Sequence, residues 1–149
     1  MENKELLNNL ISVFQLIEEF NKKDFSKNYS ELNISDVHSI DFIGKTKNPN
    51  ITSLSKHMNF TKSGALKIVK KLLEREYIKQ FQNPDNKKEK YFSLTEKGRE
   101  IFIKHEILHK EAEERDSKIF QNFSNVEKET ISKFLNLLEN DIKNKLSKD

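Results

Sequence analysis

Apolar residues recur at helical spacing along most of the chain. Leu6, Leu10, Phe14, Ile17 and Phe20 stand three or four positions apart, with Leu7 and Ile11 beside them, which predicts a helix over 4–23. Polar residues 24–31 break that pattern. Ser35 suits the N-cap of a second helix, roughly 35–46, with Val37, Ile40 and Ile43 facing inward. Lys47-Asn48-Pro49-Asn50 reads as a turn. Thr52 then caps a short helix ending near Met58, and Asn59-Phe60 makes a tight connection. Thr61 caps the next helix, which runs to about Glu76 and buries Ala65, Ile68, Val69 and Leu72.

The period then changes. Tyr77 to Gln82 alternates as a strand does, Asn83-Pro84-Asp85-Asn86 is a strong turn signal, and Lys90 to Leu94 is a second short strand. Residues 77–94 therefore predict a β-hairpin. Thr95, with Gly98 nearby, opens a long helix to about Phe123 with core positions Ile101, Leu108, Ala112 and Ile119. Ser124 followed by Glu127 is a capping box for a last helix carrying Ile131, Phe134, Leu135, Leu138, Ile142 and Leu146.

The predicted fold is mainly α with a small β-hairpin. The pair 52–58 and 61–76 has helix-turn-helix proportions, and a hairpin directly after such a pair is a wing. The first and last helices are more apolar than a monomer needs, so they predict an obligate symmetric dimer through the N- and C-terminal helices.

Composition sharpens this picture. The 149 residues make one domain with dimerising extensions, about 33–94 forming the winged helix-turn-helix lobe and about 1–30 and 100–149 the dimerisation helices. Only three Gly and two Pro argue for long helices, and zero Cys excludes a disulfide scaffold, a Cys-ligated metal and a thiol sensor. No apolar run reaches a membrane span and Met1-Glu2-Asn3-Lys4-Glu5 lacks a signal pattern, so the expected location is cytoplasmic. The net charge of +3 is uneven: ten Lys/Arg against four acids between Lys56 and Lys90 give that segment +6, leaving −3 for the rest. Such a localised basic stretch is a footprint for a polyanion.

The stretch Ile51 to Leu72 (ITSLSKHMNFTKSGALKIVKKL) resembles the helix-turn-helix of the MarR family of transcription regulators. Asn83 to Gly98 (NPDNKKEKYFSLTEKG) is similar to that family's wing and the start of its following helix, Leu94-Thr95-Glu96-Lys97-Gly98 being the most specific part. The resemblance extends over nearly the whole chain and implies a dimeric winged-helix regulator of pseudo-palindromic double-stranded DNA, often a repressor released by a ligand. Two departures stand out. The family's Asp-x-Arg wing signature is here Asn86-Lys87-Lys88, which removes the bracing ion pair and the planar guanidinium suited to a narrow minor groove. Glu76 replaces a frequent Gly after the recognition helix, which predicts a different helix end.

On this reading the second helix of the pair enters the major groove by its N-terminal half. Thr61, Lys62, Ser63 and Gly64 supply small donors and free backbone N–H groups at a positive dipole end. Gly64 costs a helix roughly 1 kcal/mol against Ala, a cost that close approach of DNA explains. Thr52, Ser53 and Lys56 reach phosphate from the supporting helix; Lys67, Lys70 and Lys71 lie further along; Asn86, Lys87 and Lys88 sit over the minor groove. Lys62, Ser63 and Lys67 are the base-reading candidates, Lys62 towards guanine.

Two of four histidines form His105-Glu106-Ile107-Leu108-His109, the H-E-x-x-H pattern of zinc hydrolases. The extended form fails, because Ala112 and Arg115 stand at its Gly and His positions, so the chain is expected not to be an enzyme. The zinc-uptake repressors of the MarR family are similar in another way. Their site implies His38, His105 and His109 as ligands with a carboxylate, Glu19 being nearest in register and Glu18, Asp24 and Asp41 the alternatives. Three N donors and one O donor make a closed tetrahedral zinc site. His57, on the supporting helix, reads as a surface or phosphate-side residue. No cofactor is required. Without zinc as effector, the family alternative is a small apolar or aromatic ligand, and the eleven Phe supply apolar walls. A non-sensing DNA-architectural protein is the remaining alternative.

Overall fold

The computed structural model describes residues 1–148. Six α-helices and one hairpin follow in the order α1 (Asn3–Asn28), α2 (Ile34–Lys45), α3 (Ile51–Met58), α4 (Lys62–Glu74), β1 (Ile78–Asn83), β2 (Asn86–Leu94), α5 (Glu96–Ser117) and α6 (Asn125–Leu146), with a 3-10 turn at Lys118–Asn122. The fold is mainly α with a β-hairpin wing. The chain forms two compact units, Met1–His105 and the remainder from Glu106.

In the first unit the buried apolar core runs from Tyr29 to Leu94: Leu32, then Val37, Ile40 and Ile43 of α2, Leu54 of α3, Ala65, Val69 and Leu72 of α4, and Ile78, Phe92 and Leu94 of the hairpin. This is the core of a helix-turn-helix lobe, built where apolar residues recur at three and four in the helices. The strands are antiparallel, pairing Ile78 with Leu94, Lys79 with Ser93 and Phe81 with Tyr91, with an irregularity between Phe81 and Asn83. The Phe92 N–H leaves the hairpin and donates to the Pro49 carbonyl (2.9 Å), tying β2 to the turn before α3.

Several element ends differ from the sequence reading because side-chain caps compete. Asn33, not Ser35, caps α2, its Oδ1 accepting from the Asp36 N–H (2.9 Å) while Asp36 accepts from the Asn33 N–H (2.8 Å). Asn50, not Thr52, caps α3 in the same reciprocal way with Ser53. Helix α1 continues through the polar 24–28 segment, where the Tyr29 N–H closes the last turn on the Phe25 carbonyl (2.9 Å) and the two rings lie 4.8 Å apart. Strand β2 begins at Asn86 rather than Lys90. The long helix stops at Ser117, and Ile119, expected in the core, is 60% exposed. Thr61 caps α4 and the Ser124–Glu127 box caps α6, both as expected.

Helix α4 ends on a left-handed residue although that residue is not glycine. Glu76 has φ 62°, its N–H donates to the Leu73 carbonyl (3.0 Å) and the Tyr77 N–H to the Leu72 carbonyl (2.9 Å). This is the Schellman arrangement, so the expectation of a different helix end is corrected: Glu occupies the position that favours Gly. Neighbours hold it there. The Thr95 hydroxyl donates to the Glu76 carbonyl (2.6 Å), and Lys97 Nζ donates to the Arg75 carbonyl (2.9 Å).

The same corner accounts for the Leu-Thr-x-x-Gly pattern. The Thr95 hydroxyl accepts from the Gly98 N–H (3.1 Å) at the start of α5, and the Thr95 N–H donates to the Tyr77 carbonyl (3.1 Å). A Cβ on Gly98 would lie 1.9 Å from that carbonyl oxygen, so only Gly lets the helix pass.

The unit from Glu106 contains the rest of α5, the 3-10 turn and α6. Its apolar residues Phe134, Leu135, Leu137, Ile142 and Leu146 are all exposed, as are Leu6, Leu7, Ile11, Phe14, Ile17 and Phe20 on α1 of the first unit.

Candidate nucleic-acid interface

The turn between α3 and α4 is three residues long. Asn59 takes φ 54°, its N–H donates to the Lys56 carbonyl (3.2 Å), and the Phe60 N–H to the Ser55 carbonyl (2.9 Å). Asn tolerates this conformation better than most residues, which is the local reason that the chain reverses here. Thr61 Oγ1 then accepts from the Gly64 N–H (3.0 Å) to start α4.

Helix α4 has two faces. Ala65, Val69 and Leu72 are buried, while Ser63, Lys67, Lys70 and Glu74 are exposed on the opposite side at helical spacing. Lys62 is exposed near the N-terminus, and the large apolar Leu66 is 53% exposed between Lys62 and Lys70. Sequence reasoning missed Leu66; the available signal was an apolar residue standing off the 65, 69, 72 stripe.

The helix N-termini carry a further signal. Helices α1, α2, α5 and α6 each hold an acid in the first turn, whereas α3 and α4 hold none. An acid there stabilises a helix through its dipole, so its omission from the two helices of the pair leaves their positive ends available to an external anion. Gly64 occupies the third position of α4, where Asp36 and Glu127 complete the boxes of α2 and α6. A Cβ on Gly64 would meet only Thr61 Oγ1 at 3.3 Å and Phe60 Cβ at 3.8 Å. Packing within the chain therefore does not demand glycine. The expectation of a free N–H at Gly64 is corrected, because the Thr61 hydroxyl takes it.

The other expected contacts fall as follows. Thr52 and Lys56 are exposed on α3, whereas Ser53 is half-buried in the Asn50 cap. Lys70 lies 3.9 Å from Glu74 on the exposed face. Lys71 turns inward and pairs with Asp36, a carboxylate only 1% exposed, so its ammonium is held against the core of the lobe. No sequence pattern announced that pair, since the partners stand 35 residues apart. Asn86, Lys87 and Lys88 are exposed at the hairpin tip. In place of an Asp–Arg brace, Gln82 Nε2 donates to the Lys87 carbonyl (3.2 Å) and the Lys88 N–H to Asn86 Oδ1 (3.3 Å).

Of the expected zinc ligands, His38 and His105 come together with ring centroids 5.6 Å apart. His109 lies one helical turn further along α5, in the second unit, and Glu19 pairs with Lys23 at 3.0 Å. Among the described residues no group of three or more His, Cys, Asp or Glu is placed to hold a metal ion. The structure thus brings two of the four expected donors near each other, and a closed zinc site needs four. His57 stacks on Phe42 at 4.5 Å. No helix among the described residues is long and apolar enough to cross a membrane.

A three-helix lobe with a tight helix-turn-helix, followed by a two-stranded wing, defines a winged-helix DNA-binding protein. Residues 32–98 match the family model described as a winged helix DNA-binding domain. The HTH-type transcriptional regulator PchR of Bacillus subtilis is 38% identical over 124 residues, covering 82% of this chain and 73% of the relative. Streptococcus pneumoniae FabT, solved in complex with DNA, superimposes with TM-score 0.76 at 22% identity, over 96% of this chain and 99% of that one. The adhesin competence repressor AdcR of Streptococcus pyogenes gives TM-score 0.70 at 22% identity, over 95% and 98%. The chain belongs to the HTH-type winged-helix transcriptional regulators. It is a DNA-binding transcriptional regulator, and the family and relatives that it matches are transcriptional regulators, not enzymes.

Proposed function

We propose that the chain is a homodimeric repressor that reads a pseudo-palindromic operator with the exposed face of α4, and that an effector tunes this binding through the α2–α5 contact where His38 meets His105. The observation that carries the DNA-reading part is α4 itself. Its first turn has no acid, its N-terminus is capped by a neutral Thr, and Ser63, Lys67 and Lys70 line the face opposite the core. The dimer is supported by the apolar stripes of α1 and α6, exposed on a single chain. AdcR and FabT, a repressor and a DNA complex by their descriptions, share the fold.

Gly64→Ala separates folding from DNA contact. The added methyl should favour α4 by up to about 1 kcal/mol, offset in part by the tight Thr61 contact, while weakening operator binding by reducing close approach. Equal binding by the stabilised variant would count against α4 as the reading helix. Repression is tested by transcription in vitro from a promoter overlapping the operator: the chain lowers transcript yield, and an increase would assign activation instead.

Zinc is the effector to test first. Bound there, it would supply a coordinate tie between α2 and α5, with His38 and His105 as ligands and His109 and Glu19 as the sequence candidates for the rest. Titration of chelator-stripped protein beside His105→Ala/His109→Ala should show stoichiometric binding lost in the variant. No specific binding would remove zinc. The second reading is then a small aromatic or acidic ligand at the cavity lined by Tyr29, Leu32, Tyr77, Ile101 and Lys104. It is favoured by the buried Tyr29 hydroxyl, which lacks a hydrogen-bond partner among the described residues, and by the Lys104 ammonium 4.9 Å from the Tyr29 ring centroid.

A further inference from the structure

Resting on the reading of α4 as the groove helix, we infer that Leu66 is a specificity-determining residue that reads the C5-methyl group of a thymine in the major groove. The residue is 53% exposed on a helix whose other apolar side chains are buried (Ala65, Val69 and Leu72) or half-buried (Ile68 and Leu73). It stands one turn from Lys62 and one turn from Lys70, so the apolar side chain sits in a cationic stripe. A single exposed leucine is ordinary on a protein surface. Here the flanking charges fix the kind of surface it meets. Two ammonium groups bracketing the leucine fit the phosphate-rimmed groove of duplex DNA, and they disfavour an apolar protein partner, against which both would lose water. In that groove the thymine methyl is the apolar group on a base edge, and an apolar side chain is its natural contact. Leu66 offers no hydrogen bond to the amino group that cytosine presents there, so it discriminates by contact area and by leaving that donor unpaired.

Position along the helix agrees with this role. Leu66 is the fifth residue of α4, within the N-terminal half that meets base edges in helix-turn-helix proteins. Ser63 and Lys67, three residues before it and one after it, are exposed and suited to polar edges and phosphate. The face thus combines polar and apolar readers, and thymine at a fixed place in each half-site is the sequence requirement that Leu66 adds.

The test uses the full chain and a duplex enriched by it from a random-sequence library. Each thymine is replaced singly by uracil, which pairs identically and lacks the methyl. For the wild type, one thymine per half-site should lose about fourfold in affinity on this replacement, the worth of one buried methyl-sized group. Leu66→Ala should bind the thymine duplex more weakly, and uracil at that position should then cost nothing further. Uracil effects at other positions should remain, and the exposed site should leave the thermal midpoint near that of the wild type. A uracil penalty of the same size in both proteins, or none at any position in the wild type, would overturn the assignment while leaving DNA reading by α4 intact. If no sequence is enriched at all, the underlying reading falls and the assignment with it.

Discussion

Glu76 shows how single residues can work against local preference and be held in place. Its left-handed backbone at φ 62° costs a non-glycine residue about 1 kcal/mol, and the Thr95 and Lys97 contacts around it make the corner persist. Glu76→Gly should therefore stabilise the lobe by about 0.5 kcal/mol after the added freedom of the unfolded chain is counted, read as a higher urea midpoint. Gly98 is the opposite case. With a Cβ only 1.9 Å from the Tyr77 carbonyl oxygen, Gly98→Ala must displace α5 or the α4–β1 corner, and a loss of about 3 kcal/mol or more is expected in the same assay. Lys71 joins a cation to the buried Asp36. Removing only the cation with Lys71→Met should cost about 2 kcal/mol, below the value for fully buried pairs because the Lys71 side chain is 32% exposed and the α2 N-terminus still favours the carboxylate. A double-mutant cycle with Asp36→Asn measures the coupling, and additive losses would show that the pair contributes nothing.

At the scale of elements, the sequence located every helix and the hairpin, because the apolar stripes of α2, α4 and the strands are the stripes that the core buries. It misplaced ends where several cap residues compete: Asn33 against Ser35, and Asn50 against Thr52. A capping box is settled by which side chain can return a bond to the cap N–H, and Asp36 and Ser53 provide that return. The expected contact residues were legible as a cationic cluster, but Lys71 and Leu66 were not separable from it. Their facing sets them apart, Lys71 turning inward to the buried Asp36 and Leu66 standing exposed. The α6 cap gives a pH prediction. Hydrogen bonds from the Ser124 hydroxyl and N–H hold the Glu127 carboxyl below the usual glutamate range. A depressed folded-state value means that the cap contributes above the unfolded pKa and is lost as pH falls through the depressed one. An NMR titration should place Glu127 below a free glutamate, and Ser124→Ala, which removes the hydroxyl donor and keeps the N–H, should raise it part of the way towards the ordinary range.

For the whole molecule, the lobe from Tyr29 to Leu94 has its own core, whereas α1 and α6 expose the apolar stripes that a second copy would cover. Sedimentation should give twice the 17.6 kDa chain mass, and Phe14→Asp/Ile17→Asp should yield monomers that bind the operator poorly. A monomeric wild type that binds its operator normally would refute the dimeric account. The central claim is that the exposed face of α4 reads DNA sequence, and the most direct measurement is the affinity of wild type and a Ser63→Ala/Lys67→Ala variant for an enriched duplex and for a scrambled one, at several salt concentrations. The account predicts a two-fold symmetric preferred sequence with half-sites about ten base pairs apart, and a variant that loses most of the preference for it over the scrambled duplex. An undiminished preference in the variant, with both affinities falling together or not at all, would contradict it.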